Sequence, residues 1–123
     1  MPDAQPSTAY RCGQLYATLH VLCSVGTGDR KLDRQESRDK VLKRPEDNLK
    51  PPLREAAQYL IKARRRGADH GKAADELFRA IADFIPVNGK LPTSLGEGEK
   101  GEFTKGFHQQ MAEYAPTHGR LMT

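Results

Sequence analysis

The sequence predicts an all-α fold, a small bundle of about four to five helices. Two observations favour it: apolar residues recur at intervals of three and four along several segments, and no segment of useful length alternates apolar and polar residues as a strand would. Glycines and prolines separate these segments. The chain has 123 residues, of which 37% are hydrophobic and none is Trp. This length suits one helical domain, residues 1–123, with a thin core.

The first helix is predicted to follow a short flexible lead, residues 1–7. Ser7 is a suitable N-cap, and Gly26 with Gly28 is expected to end the helix. Between them, apolar residues recur with the spacing of one helical face. The residues on this predicted face are Cys12, Leu15, Tyr16, Leu19, Leu22 and Cys23.

Residues 28–50 are predicted to be a basic and less regular segment. Strongly apolar residues are sparse there, so we expect a short exposed helix or an ordered loop that ends near Pro45. The segment belongs to a longer basic stretch, because residues 30–72 contain fourteen Lys or Arg and seven Asp or Glu, while the whole chain has a net charge of +4. Such segregation favours binding to a polyanion. A solvated helix face is the alternative explanation.

Two further helices are predicted to form a hairpin. Pro51 and Pro52 suit the opening turn of the first, which is expected to end before Gly67. Its predicted buried stripe comprises Leu53, Ala56, Ala57, Leu60 and Ile61. Asp69 suits the N-cap of the second helix, and Pro86 suits its end. The residues expected to face inward on the second helix are Ala73, Leu77, Ala80, Ile81, Phe84 and Ile85.

A last helix is predicted after a loop through Asn88 and Gly89. Ser94 and Glu97, three residues apart, have the spacing of a capping box. The predicted buried side is lined by Phe103, Phe107, Met111 and Tyr114. No apolar run approaches the roughly 20 residues that span a bilayer, and the amino terminus lacks the pattern of a signal peptide. We therefore expect a cytoplasmic protein with no membrane contact.

The sequence offers no support for catalysis, a metal or a cofactor. Residues 96–101 match the dinucleotide pattern G-x-G-x-x-G, but no strand precedes them and their two glutamates would repel phosphate. His20 and Cys23 are three residues apart, yet no compact ligand set accompanies them. Cys12 and Cys23 lie about 16 Å apart by helical rise, too far for a disulfide, which favours buried free thiols. We predict a protein that is not an enzyme, with no cofactor and no metal.

Basic side chains are the feature of this sequence that indicates a function. At the end of a helix they complement its dipole, and on a free face they follow a phosphate backbone. Few aromatic residues accompany them, so contacts with the backbone rather than recognition of bases are expected. The candidate nucleic-acid-binding residues are Lys40, Lys43, Arg44, Lys50, Arg54, Lys62, Arg64, Arg65 and Arg66.

Two parts of the sequence resemble a known family. Residues 9–19 read Ala-Tyr-Arg-Cys-Gly-Gln-Leu-Tyr-Ala-Thr-Leu. Residues 91–95 read Leu-Pro-Thr-Ser-Leu, and 101–110 read Gly-Glu-Phe-Thr-Lys-Gly-Phe-His-Gln-Gln. Together they resemble the carboxyl-terminal region of the large subunit of type I-C CRISPR Cascade surveillance complexes, although His108 and Gln109 depart from its pattern. In that family this region also exists as a separate small subunit.

The resemblance implies a non-catalytic small subunit. Its implied partners are the large and backbone subunits, the guide RNA (crRNA) and target DNA, with the non-target strand as the expected contact and several copies side by side. Guide pairing reads sequence in such complexes, so a basic face would stabilise the displaced strand of the R-loop. Gly13 and Gly106 would be positions where helices approach closely. A stand-alone helical DNA-binding regulator and a pure assembly adaptor are the alternatives.

Overall fold

The computed structural model describes residues 7–29, 32, 34–86 and 89–122. The residues of the predicted lead before Ser7, and Asn88 of the predicted loop, lie outside this part of the chain. The described residues form five α-helices and no strand, so the predicted all-α bundle is confirmed. The helices are α1 (Thr8–Thr27), α2 (Gln35–Lys43), α3 (Pro45–Arg66), α4 (Ala68–Phe84) and α5 (Glu97–His118), and a 3₁₀ turn (Gly119–Leu121) follows α5.

The central helix of the bundle is α1, around which α3, α4 and α5 pack. The Ser7 hydroxyl caps its first turn, and Gly28 ends it with a left-handed φ of 76°. Gly26 does not end the helix as predicted but is buried inside it. The sequence also predicted a single buried face, whereas α1 is buried on all sides over residues 15–26. The composition of α1 permits this burial on all sides, because residues 12–28 contain no Asp, Glu, Lys or Arg.

The contact between α1 and α5 requires glycine on both helices. A Cβ atom at Gly13 would overlap the backbone of Phe103, and a Cβ atom at Gly106 would overlap the backbone of α1. The close approach that the resemblance implied for these two glycines is thus confirmed. Beside them, the Tyr16 ring packs against the Phe103 and Phe107 rings, with centroids 6.0 and 5.8 Å away.

The short helix α2 matches the predicted exposed helix that ends near Pro45. Val41 is its one buried residue. Asn48, on α3, holds the carboxyl end of α2, because its Nδ2 donates hydrogen bonds of 3.0 Å to the carbonyl oxygens of Lys40 and Arg44. The basic end of α2 is therefore fixed to the beginning of α3.

Pro45 begins α3, which corrects the prediction that Pro51 and Pro52 open this helix. Pro45 occupies the first helical turn, where a missing N–H leaves no helical bond unmade, and two acidic residues follow it. Pro51 and Pro52 lie inside the helix, where they remove two backbone donors. The predicted end before Gly67 is confirmed.

The buried face of α3 is rotated from the predicted stripe. It consists of Pro45, Leu49, Pro52, Ala56, Tyr59 and Ala63. Of the predicted stripe, Ala56 is buried, Leu53 and Leu60 are half-buried, and Ala57 and Ile61 are exposed. The rotation follows from the contact with α1, because a Cβ atom at Gly26 would lie only 3.1 Å from the Tyr59 Cα. This close approach turns Tyr59 inward and Ile61 outward.

The starts of α4 and α5 also differ from prediction. Gly67, with a φ of 141°, is the single residue between α3 and α4, and Asp69 lies in the first turn of α4 instead of capping it. The N-cap of α5 is Gly96 instead of Ser94, and its N–H donates to the Glu99 Oε1 at 2.9 Å. The hydrogen bond that a capping box makes from the N-cap N–H to a glutamate is thus made by Gly96 and Glu99, two residues after the predicted pair of Ser94 and Glu97.

The inward sides predicted for α4 and α5 are present. The buried members are Ala73, Leu77, Ile81, Phe103 and Phe107, and the half-buried members are Ala80, Phe84, Ile85, Met111 and Tyr114. Polar groups add to the contact between α1 and α5, where the hydroxyls of Thr18 and Tyr114 are 2.8 Å apart. None of the described helices combines the length and the hydropathy that crossing a membrane requires.

Candidate nucleic-acid interface

The nine predicted nucleic-acid-binding residues lie on α2, on α3 and at the junction between them. Lys40 and Lys43 belong to the last turn of α2, and Arg44 separates the two helices. The six on α3 are Lys50, Arg54, Lys62, Arg64, Arg65 and Arg66. All nine are exposed, but their partners divide them into three groups.

Two of the nine support the bundle itself. The Nη1 of Arg66 donates to the carbonyl oxygens of Ser24 at 3.2 Å and Val25 at 2.7 Å, so this arginine covers the carboxyl end of α1. The Nη2 of Arg64 lies 3.8 Å from the Asp75 Oδ1 and joins α3 to α4. Both charges are engaged by other helices.

Two more form ion pairs within a turn of their own position. The Nη1 of Arg44 lies 3.7 Å from the Asp47 Oδ2, and the Nζ of Lys50 lies 4.0 Å from the Glu46 Oε1. Exposed pairs at this spacing contribute at most about 1 kcal/mol. A phosphate can therefore displace these carboxylates at little loss of stability.

The other five make no ion pair within the described part of the chain; they are Lys40, Lys43, Arg54, Lys62 and Arg65. On α2, Glu36 and Asp39 precede Lys40 and Lys43 by one turn and reduce the positive potential there.

On α3 the positive charge is better separated from acidic groups. Arg54 and Arg65 are eleven residues apart, close to three full turns, so they project from the same side of the helix about 16 Å apart along its axis. Lys62 lies on the adjoining flank. The nearest acidic residue on that flank, Glu55, accepts a 2.7 Å hydrogen bond from the Tyr59 hydroxyl. The outer face of α3 is therefore the strongest candidate for contact with phosphates.

Two apolar residues of this region are exposed in a way that the sequence pattern does not predict. Ile61 is 41% exposed and Phe78, on α4, is 37% exposed. The apolar spacing predicts Ile61 in the buried stripe of α3 and assigns no role to Phe78. The signal for Ile61 was its spacing, because it follows Arg54 by seven residues and precedes Arg65 by four, which places it on the charged face.

The other chemical groups singled out in the sequence lie away from this face. Cys12 and Cys23 are buried free thiols, and burial raises the pKa of Cys12 to about 11. In the described residues, no three His, Cys, Asp or Glu side chains converge as metal ligands would. Most of the glycine-rich pattern at 96–101 forms the first turn of α5.

No protein-family model, no curated protein and no solved structure matches this chain.

Proposed function

We propose that this chain is a non-catalytic nucleic-acid-binding protein that holds a phosphate backbone along the outer face of α3. The observation that carries the proposal is the pair of Arg54 and Arg65, which are exposed, free of ion pairs in the described residues and aligned on one side of α3. A strand lying along α3 meets both guanidinium groups. Binding of this kind is electrostatic and tolerant of sequence.

The more specific proposal is the small subunit of a type I-C CRISPR complex, which would stabilise the displaced DNA strand beside the large and backbone subunits. Its support is the position of two of the three resembling stretches. Residues 9–19 lie in α1 and 101–110 in α5, and they meet through Gly13 and Gly106 at the packing centre of the bundle. The third stretch, residues 91–95, lies in the segment before α5.

The first test measures binding of a single-stranded oligonucleotide over a range of salt concentrations. Each lost phosphate contact lowers the slope of log affinity against log salt by about 0.7, so R54Q/R65Q should flatten the slope by about 1.4. The control K100Q/K105Q removes the same net charge from α5. There, Lys100 and Lys105 already pair with Glu97 and Glu102 at 3.8 and 3.5 Å. An equal effect of both variants would indicate net charge alone and contradict the proposed face.

The second test addresses the complex. Binding and strand opening of a target duplex are measured with a reconstituted type I-C complex, with and without this chain, at fixed salt. Loss of stable opening with guide binding intact is the expected result. No difference would contradict the small-subunit proposal, and sequence-specific duplex binding by the isolated chain would favour a regulator instead.

A further inference from the structure

Ile61 and Phe78 are the large apolar side chains that the described surface leaves most exposed, at 41% and 37%. Their helices α3 and α4 form a tight antiparallel hairpin about Gly67. Exposed apolar residues are common singly, whereas adjacent ones on a charged surface indicate a contact site.

The hairpin brings these two residues to the same level. Arg64 and Asp75 join the helices across the seam. Ile61 lies three residues before Arg64, and Phe78 lies three residues after Asp75. Because the helices are antiparallel, both steps lead about one turn away from Gly67, which places Ile61 and Phe78 at the same level on neighbouring helices. We call these two residues the seam patch.

Cations border the seam patch on both helices. On α3, Ile61 lies between Arg54 and Arg65 on the outer face. On α4, Arg79, with a side chain that is 79% exposed, follows Phe78 and binds Asp75 at 3.0 Å. Asp75 is thus shared by two arginines, which leaves this cluster with a positive charge. A strand whose phosphates contact Arg54 and Arg65 passes over Ile61, with Phe78 at the same level on the neighbouring helix.

The size of the seam patch suits a nucleobase and not a protein. A fully covered aromatic side chain buries about 150–250 Å². At their observed exposures, Ile61 and Phe78 together offer roughly 150 Å², whereas a specific protein interface buries about 800 Å² on each partner. A base needs only the face of one ring.

We propose that Phe78, with Ile61 beside it, stacks an unpaired base of the strand held along α3, so that the chain prefers single-stranded nucleic acid to duplex. This inference rests on the proposed function, because the backbone contacts on α3 bring the base to the patch. Bases inside a duplex stack on each other and leave no face for Phe78. The contact is independent of sequence, since every base has a π face.

The affinity test uses F78L, which keeps an apolar side chain but removes the ring, and F78Y, which keeps the ring. At fixed salt, F78L should weaken binding of oligothymidine by roughly 5- to 150-fold, and F78Y should retain it. The salt slope should stay unchanged in both variants because no phosphate contact is lost. An oligonucleotide of abasic sites with the same number of phosphates should bind wild type and F78L equally.

A spectroscopic test reports the contact directly. The chain contains no Trp, so F78W carries a single indole. Oligothymidine should quench the fluorescence of this indole, and the abasic oligonucleotide should not. The control is H108W, at an exposed position on α5, whose fluorescence should not respond to either.

The outcomes separate the two proposals. If wild type shows no salt-dependent binding, the proposed function and this inference both fail. If R54Q/R65Q weakens binding but F78L leaves it unchanged, the inference alone fails. Equal losses on single strands and duplex would also overturn it. If F78L instead turns a self-associating protein into a monomer with unchanged oligothymidine affinity, the patch contacts a second copy, and the inference is wrong.

Discussion

Neighbouring arginines at the end of α3 have different surroundings. Each residue turns the helix by about 100°, so Arg65 shares the outer side with Arg54 while Arg66 reaches the carboxyl end of α1. Identical side chains in one basic run are thereby divided between proposed phosphate contact and support of the fold.

The different surroundings of Arg65 and Arg66 predict different effects when each is replaced. R66Q removes the charged donor to Ser24 and Val25 and should lower the free energy of unfolding by about 1–2 kcal/mol, measured in urea. R65Q should change it by less than about 0.5 kcal/mol. Oligonucleotide affinity should fall more for R65Q than for R66Q. Equal destabilisation by the two variants would show that the Arg66 hydrogen bonds contribute nothing.

At the scale of elements, the contact between α1 and α5 is set by glycines that leave no room for a side chain. Gly106 lies against the α1 backbone, whereas Gly101, on the same helix, has no atom within 4 Å of a Cβ atom placed there. One helix thus carries a glycine required by packing and a glycine that packing does not require.

A matched pair of substitutions tests this difference. G106A should destabilise the protein by about 1–3 kcal/mol, because the added methyl forces the helices apart. G101A should stabilise it by roughly 0.5–1 kcal/mol through higher helix propensity. Thermal unfolding followed by circular dichroism measures both. A G106A protein as stable as wild type would mean that α5 can shift along α1 without loss of stability.

The helices were predictable from the sequence because spacing, caps and glycines are local signals. Their rotation was not, since α3 contains two overlapping apolar stripes, one with Ile61 and one with Tyr59, and the contact with Gly26 decides between them. The candidate site, too, was predictable from the sequence only in part. Charge identified its basic residues, but the engagement of Arg66 depends on a carbonyl 42 positions away. Phe78 was missed because nothing near it in sequence shows that a neighbouring helix leaves it uncovered.

Across the whole molecule, burial is concentrated in α1 and is nearly absent from α2. Residues 15–26 of α1 are buried without exception, whereas Val41 is the one buried residue of α2. Elements with few buried apolar contacts open locally, while a central helix opens only when the protein unfolds.

Hydrogen exchange should therefore separate these two helices. Amides of α1 should exchange only through global unfolding, with a strong dependence on denaturant. Amides of α2 should exchange faster and with little dependence on denaturant, because their opening exposes little surface. Mass spectrometry of peptic fragments measures both. Equal rates and equal denaturant dependence would show that α2 unfolds together with the bundle.

The enclosure of α1 also bears on synthesis of the chain. Its Gln14 pairs with Gln110 on α5, 96 positions later. At about 5–20 residues per second, the ribosome needs roughly 5 to 20 s to make the residues between them. During that interval the nascent α1 displays Leu15, Leu19 and Leu22 without their final neighbours. The helix that is translated first among the five is the last to be fully covered, so it is the segment that chaperones at the exit tunnel would need to shield.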